Sequence, residues 1–399
     1  MARRILIIYF LFAFLSSLSA CRLWAVCSKE DFVLSSLSYD DRALILEELE
    51  AFFQQSKTMS NGWALLNYDS IADFSNSSLY RSSITAVNDS SAYWNNALAL
   101  VDSGANRIGI GHLRLASSGA NNIPNPHPWI FDLDGIAYSL IHNGTISKTK
   151  LYDLITNYGS DLSWLNMYKP NTFSDNLWST DEGWSNVVDS ELLLLYIMQQ
   201  INNRGNLIDG LKKALTELLN VGINAGQINI VFSNGSDLYV FGGQSGLSIM
   251  ESSKHISVMT QPVNYSHNSN LNWSGIWDKE MVHINKWGIF RYPDFIQQSN
   301  YDNLNPIVSF NLKPAFPNPF NGETTIPFEI ESVGSASLSI FSILGEKVFS
   351  TVLNQNQLQQ GYIKWNPLNN SQKKLSSGTY IIRAETEIIS VSRKILFIK

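Results

Sequence analysis

The chain has 399 residues, a formal net charge of -6, 44% hydrophobic and 12% aromatic residues. That is ample for packed cores and too long for one small domain, so two domains are expected. The acidic balance and the lack of long basic runs exclude electrostatic capture of nucleic acid or of an anionic membrane, and favour a small-molecule or peptide-like substrate.

At the start of the chain, Arg3 and Arg4 precede an apolar run from Ile5 to Leu15 and a small, polar stretch from Ser16 to Ala20. This is the three-part layout of a secretory leader over residues 1–20. The run is shorter than the roughly 20 residues a retained spanning helix needs, so no stable membrane span is expected. Export favours disulfides, yet Cys21 and Cys27 stand too close together to staple much structure. Cleavage after Ala20 would instead place a thiol and a free α-amine on one residue, Cys21. Those are a nucleophile and its base, because an amine of ordinary pKa about 7.7–8.0 keeps a neutral fraction near pH 7. Leu18-Ser19-Ala20-Cys21 also fits a lipoprotein processing site, where acylation would remove that base, and these residues alone leave both readings open.

Further along, periodicity predicts helices over 40–53 and 190–201 and strands over 228–232 and 238–241, hence one α+β domain over 21–290. Residues 157–188, rich in Trp, Asn, Ser and Asp, form an unusually long connection that reads as a lid or an ornament. The apolar pattern fades after residue 290, and 291–308 reads as a linker. Over 309–399, short strands are predicted at 324–330, 336–343, 347–353, 361–365, 378–386 and 388–398, with no helix. Strands of this length between Gly, Asn, Pro and Ser clusters indicate an all-β, immunoglobulin-like sandwich.

Four segments follow Cys21 in order: Gly111-His112-Leu113-Arg114-Leu115-Ala116-Ser117-Ser118-Gly119, Asn125-Pro126-His127-Pro128-Trp129, Ile141-His142-Asn143-Gly144-Thr145 and Val188-Asp189-Ser190-Glu191. Together they resemble the motifs of class II glutamine amidotransferases, in particular a stand-alone subgroup of these N-terminal-nucleophile hydrolases. Asn61-Gly62-Trp63-Ala64 resembles that subgroup's Asp-Gly-Trp-Gly strand with two departures, which weaken any role for Asn61. The match extends through Ile228 to Gly235 and Val258 to Pro262, as far as about Gly288.

The resemblance implies a four-layer αββα sandwich with Cys21 as nucleophile at the start of a central strand. It also implies an oxyanion hole from Asn143 and Gly144, Arg114 on the α-carboxylate of glutamine and Asp189 on its α-ammonium, with His112 and His142 in the same substrate-binding motifs. The residue types suit these tasks: a guanidinium can meet a carboxylate with two parallel hydrogen bonds, and convergent N–H donors stabilise a tetrahedral oxyanion. Taken singly, each has a plainer reading: Arg114 as a surface ion pair, Asn143-Gly144 as a hairpin turn, Asp189-Ser190 as a helix cap.

Near the C-terminus, Pro314 to Asn321, Leu344-Gly345-Glu346-Lys347-Val348, Ser376 to Tyr380 and the ending Lys394 to Lys399 resemble a type A sorting domain of the type IX secretion system. That resemblance implies passage through the periplasm and outer membrane to the cell surface or medium, with the secretion machinery as partner. A spacer or carbohydrate-binding sandwich is the plainer reading. Combined, the two ends predict a secreted amidohydrolase that cleaves the γ-carboxamide of glutamine, or a γ-glutamyl amide, through a Cys21 thioester. With no synthase domain to consume ammonia, hydrolysis is expected over transfer. The alternatives are an acylase of the same fold acting on other amides, and a non-catalytic surface lipoprotein with acylated Cys21. There is no metal-ligand spacing, phosphate loop or dinucleotide motif, so no cofactor is expected.

Overall fold

The computed structural model describes residues 21–68, 77–117, 119, 125–173, 176–243, 246–265, 271–293, 295–296, 309–331, 336–353, 357, 360–368, 375–386 and 390–399. The expected leader therefore lies outside the described residues. The chain divides into two compact units, Met1–Gln297 and Gln298–Lys399.

In the first unit the strands are β1 (Arg22–Ser28), β2 (Trp63–Tyr68), β3 (Ser77–Ser82), β4 (Ile108–Leu113), β5 (Trp129–Leu133), β6 (Ile136–Asn143), β7 (Asn229–Ser233), β8 (Leu238–Phe241), β9 (Ser248–Glu251), β10 (His255–Met259), β11 (Trp273–Gly275), β12 (Met281–Asn285) and β13 (Gly288–Tyr292). The helices are α1 (Tyr39–Gln55), α2 (Ser90–Asp102), α3 (Lys148–Thr156), α4 (Ser163–Met167), α5 (Asp181–Asn186), α6 (Asp189–Arg204) and α7 (Leu207–Asn220). Two antiparallel sheets result, in the orders β11-β9-β10-β1-β4-β2-β3 and β13-β12-β8-β7-β6-β5.

Side-chain alternation sorts the layers. On β1, Leu23, Ala25 and Cys27 pack with Ala137 and Ile141 of β6 and with Val231 and Val240, filling the space between the sheets. Trp24 and Val26 point the other way, against Ile45, Leu49 and Phe52 of α1 and Tyr93 and Leu100 of α2. On the second sheet, Tyr138, Leu140 and Phe232 meet Leu151 of α3, Leu192 to Met198 of α6 and Leu211 and Leu215 of α7. Because both faces of each sheet are covered, the central strands read as continuous apolar runs rather than as alternating ones.

Several elements depart from expectation. The long connection over 157–188, expected as a lid or an ornament, holds α4 and α5; in α4, Trp164 and Leu165 are buried, and the Trp164 indole donates to the Leu195 carbonyl at 3.0 Å. Arg291 and Tyr292, expected in the linker, pair with Val282 and Met281 as part of β13, and Phe295 and Ile296 beyond them are buried. Apolar side chains two or more residues past a polar stretch carry no local periodicity, which is why this ending escapes a window-based reading.

The second unit comprises β14 (Ser309–Leu312), β15 (Thr324–Glu331), β16 (Ala336–Ser342), β17 (Lys347–Leu353), β18 (Tyr362–Trp365), β19 (Gly378–Thr386) and β20 (Ser390–Phe397). They form sheets β14-β15-β18 and β17-β16-β19-β20, which share one core of Ile326, Phe328, Leu338, Ile340, Trp365, Ile382 and Phe397. β14 is an additional strand. Gln357 and Gln360 are helical, with the Gly361 amide donating to the Gln357 carbonyl at 3.0 Å, against the expectation of no helix.

Candidate active site

Cys21 stands immediately before β1, which is flanked by β10 and β4 in the middle of its sheet. Pairing of Arg22 with Leu113 carries the chain past β4 alongside Cys21, a partly exposed residue whose Sγ lies 3.3 Å from the Leu115 amide and 3.4 Å from its carbonyl. That loop is held by the Arg114 amide on the Gly62 carbonyl at 2.8 Å, the Asn61 amide on the Arg114 carbonyl at 3.0 Å and the Ala116 amide on Asn61 Oδ1 at 2.9 Å. Asn61 thus has a definite supporting place. Gly62 cannot be replaced there without strain, since its φ is +106° and a Cβ would lie 2.0 Å from the Ser82 carbonyl oxygen. On the other flank, the Leu23 amide donates to Thr260 Oγ1 at 3.0 Å and Arg22 Nε to Gln261 Oε1 at 2.9 Å. Burial pushes the Cys21 thiol up; the Leu115 hydrogen bond and the Arg114 charge pull it down, and Asp189 adds to the rise.

Asn143 is the last residue of β6, in register with Asn229 of β7. Alternation gives it the inter-sheet face shared by Ala137 and Ile141, the face that Cys21 shares with Leu23 and Ala25 on β1. Its backbone carbonyl accepts from Asn229 Nδ2 at 3.2 Å, while its side-chain amide makes no hydrogen bond to a described residue. Next to it, a Cβ on Gly144 would lie 2.2 Å from the Gln227 carbonyl oxygen and 2.9 Å from His142 Nε2, so the close approach requires glycine. Thr145 Oγ1 donates to Ser117 Oγ at 2.9 Å, tying this turn to the loop beyond Arg114. Asn229, which sequence reasoning passed over, also accepts from the Gly243 amide at 3.1 Å and donates to the Gly226 carbonyl at 2.7 Å. An amide inside an otherwise apolar strand was the signal for it.

Asp189 opens α6. Its Oδ2 accepts from the Ile146 amide at 2.9 Å and its Oδ1 from the Ser190 amide at 3.0 Å, and a helix N-terminus favours a carboxylate there. Arg114 is buried next to Leu115, whose amide meets Cys21 Sγ, and Ser117 beyond it meets Thr145 beside the Ile146 amide that Asp189 receives, so Cys21, Arg114 and Asp189 lie around one end of the inter-sheet layer. The capping reading of Ser190 does not hold: Val188 is the N-cap, no side chain caps the helix, and buried Ser190 Oγ accepts from the Trp129 indole at 2.9 Å.

Three buried imidazoles lie behind these groups. His112 of β4 and His127 stack with ring centres 4.1 Å apart, and His127 and His142 lie nearly parallel at 6.3 Å. The His127 amide donates to His112 Nδ1 at 3.1 Å and the His142 amide to His127 Nδ1 at 3.3 Å, while His142 Nε2 donates to the Gln227 carbonyl at 2.8 Å. Burial pushes all three below the usual histidine range, so they are neutral. Among the described residues no group of three His, Cys, Asp or Glu side chains is arranged to hold a metal, and no helix is long and apolar enough to cross a membrane.

Among solved structures, the chain is similar to the glutamine phosphoribosylpyrophosphate amidotransferase from B. subtilis complexed with ADP and GMP, at 15% identity and TM-score 0.43, over 68% of this chain and 49% of that one. It is similar to an allosteric regulatory enzyme of purine biosynthesis at 15% identity and TM-score 0.47, over 70% and 50%. A predicted glutamine amidotransferase from Pseudomonas aeruginosa matches at 14% identity and TM-score 0.35, over 68% and 98%. The chain spans about half the length of the first two of these proteins. No curated protein matches its sequence. Residues 314–399 match the family model described as a secretion system C-terminal sorting domain, and this domain marks the chain for type IX secretion to the cell surface or the medium.

Proposed function

We propose that the first unit is an N-terminal-nucleophile amidohydrolase of the class II glutamine amidotransferase type, and that the second is an immunoglobulin-like sandwich that exports it. The observation that carries this reading is the placing of Cys21, Arg114 and Asp189 around one end of the inter-sheet layer through the Leu115, Ser117 and Ile146 contacts, with the Asn143 side-chain amide unengaged by any described residue. The substrate is the γ-carboxamide of glutamine or a γ-glutamyl amide.

Removal of residues 1–20 frees the Cys21 amine. A thiol pushed up by burial needs a base at hand, and that neutral amine takes its proton as Sγ attacks the carboxamide carbon. The oxyanion of the tetrahedral adduct is met by Asn143 Nδ2 and the Gly144 amide. Collapse returns the proton to the leaving nitrogen, which departs as ammonia or an amine and leaves a thioester on Cys21. Water, deprotonated by the same amine, adds to the thioester; the adduct expels the thiolate, which regains its proton, and the free γ-carboxylate is released. Arg114 forks onto the α-carboxylate and Asp189 accepts from the α-ammonium. His112 and His142, which the motifs offered as substrate contacts, are buried with their backbone partners, and we assign them to the frame instead.

The test is mass spectrometry of the secreted protein together with ammonia release from glutamine. We expect a free Cys21 amine at the mature N-terminus and complete loss of turnover in Cys21→Ala. Active protein with an acylated Cys21 would sink the mechanism, because its base would be missing.

A further inference from the structure

His127 stands where the two halves of this site meet. β5 begins at Trp129, opposite Leu140 of β6, so His142 lies beyond their last pair. Its amide is received by His127 Nδ1 at 3.3 Å in place of a strand carbonyl. Across the ring, His127 Nε2 lies 2.5 Å from Ser190 Oγ, one residue after Asp189. Since Nδ1 is an acceptor, the neutral ring carries its proton on Nε2 and donates it to Ser190. Burial, then the neighbouring His112, His142, Arg114 and Arg81, all oppose a second proton, which would abolish the Nδ1 acceptor. The ring is itself held, through its own residue's amide on His112 Nδ1 at 3.1 Å.

Resting on the amidohydrolase reading above, we propose that His127 is a positioning residue that aims both halves of the site, one with each ring nitrogen. Nδ1 fixes the His142 amide and with it the Asn143 and Gly144 donors that follow on the chain. Nε2 fixes Ser190 and with it the adjacent Asp189 carboxylate. A planar ring bonded at both ends sets the distance between a strand end and a helix start, and a displacement of about 1 Å at such a place can cost on the order of 10²-fold in rate.

The two bonds can be separated. An Asn side chain ends near the position of Nδ1, and a Gln side chain near that of Nε2. In the processed full chain, His127→Asn retains the acceptor for His142 and loses Ser190. It is expected to raise KM for glutamine by about tenfold with kcat within about twofold. His127→Gln retains the donor to Ser190 and loses the acceptor, so kcat should fall by about tenfold with KM nearly unchanged. His127→Phe should do both. Hydrogen exchange of the His142 amide reads the same geometry without turnover: faster in the Gln and Phe variants, unchanged in Asn. Equal kinetic defects in the Asn and Gln variants, or unchanged His142 exchange in Gln, would overturn the proposal. Should wild type release no ammonia from any γ-carboxamide, the functional reading falls, and the exchange pattern still decides whether His127 holds the strand end. For variants that fail to fold, the ring nitrogens of wild-type His127 decide the matter. A bare Nδ1 and protonated Nε2, unchanged from about pH 5 to 8, support the assignment, and a titrating ring refutes it.

Discussion

The two ends of β1 present nearly the same residue types and differ in how those residues are used. At one end stand Cys21, Arg114, Asp189 and His142; at the other Cys27, Arg107, Asp237 and His283. Cys27 is 0% exposed, donates to the Ser28 carbonyl at 3.6 Å and is pushed up to about 12 by burial. Asp237 is taken up by His283 at 2.7 Å and Ser236 at 2.9 Å; burial alone would raise its pKa, and these bonds with the His283 charge bring it below the usual carboxylate range. Arg107 donates to the Ser236 carbonyl at 2.6 Å. At the Cys21 end the carboxylate accepts hydrogen bonds from backbone amides, residue Cys21 is partly exposed and Asn143 belongs to the strand face of the same layer. A set of reactive residue types is therefore insufficient: the end proposed for chemistry differs in the partly exposed Cys21 and in an Asn143 side-chain amide with no hydrogen bond to a described residue.

The largest effect expected of this comparison is at Asn143. Asn143→Ala removes one of the two proposed oxyanion donors and should lower kcat about 10²- to 10³-fold with the fold retained, measured by steady-state ammonia release. A loss under fivefold would place the transition-state contact elsewhere. Arg114→Lys keeps the charge and loses the planar fork, so KM for glutamine should rise about tenfold while an analogue without the α-carboxylate is affected less. Equal effects on both would show that the site does not read that carboxylate.

Glu191 is a second carboxylate near the start of α6. Burial pushes it up to about 8, against the Asn171 amide at 2.8 Å and the Arg81 charge. Its folded pKa lies above the value of 4.5 for an unperturbed Glu, so the stability this proton supplies is present below pH 4.5 and is lost as pH rises to about 8. Glu191→Gln keeps an acceptor for Asn171 and has no proton to lose. Its Tm should match wild type near pH 4.5 and exceed it at pH 8.5; an equal difference at both pH values would remove the assignment. The smallest effect on turnover belongs to Cys27→Ala, which should cost about 1–2 kcal/mol of stability by denaturant melt through the cavity it leaves, and leave ammonia release near wild type. A large loss of activity there would erase the distinction between the two ends.

How much was legible beforehand follows from the range of the forces involved. Helix α6 was expected over 190–201 and runs Asp189–Arg204; β8, β17 and β19 were expected at their observed bounds, because apolar periodicity and turn residues are local signals. The ordered motifs around Cys21, Arg114, Asn143 and Asp189 were legible as residue types at fixed spacing. What the fold alone decided was the partner of each group. His112, His127 and His142 lie 15 residues apart along the chain, and no local pattern says that their rings align or that the Nδ1 atoms of His112 and His127 each receive the next histidine's amide. Ser190 reads as a cap in sequence and is a buried acceptor because Trp129 and His127 arrive from another element. Asn61 and Asn229 look like turn and strand polar residues until Ala116 and Gly243 bring amides that must be satisfied. Sequence determined which stretches form strands and helices and which residues can do chemistry, since both depend on neighbours along the chain. Tertiary structure decided which of those residues stay open and which become frame, since burial and hydrogen-bond satisfaction are set by chains that meet only in space.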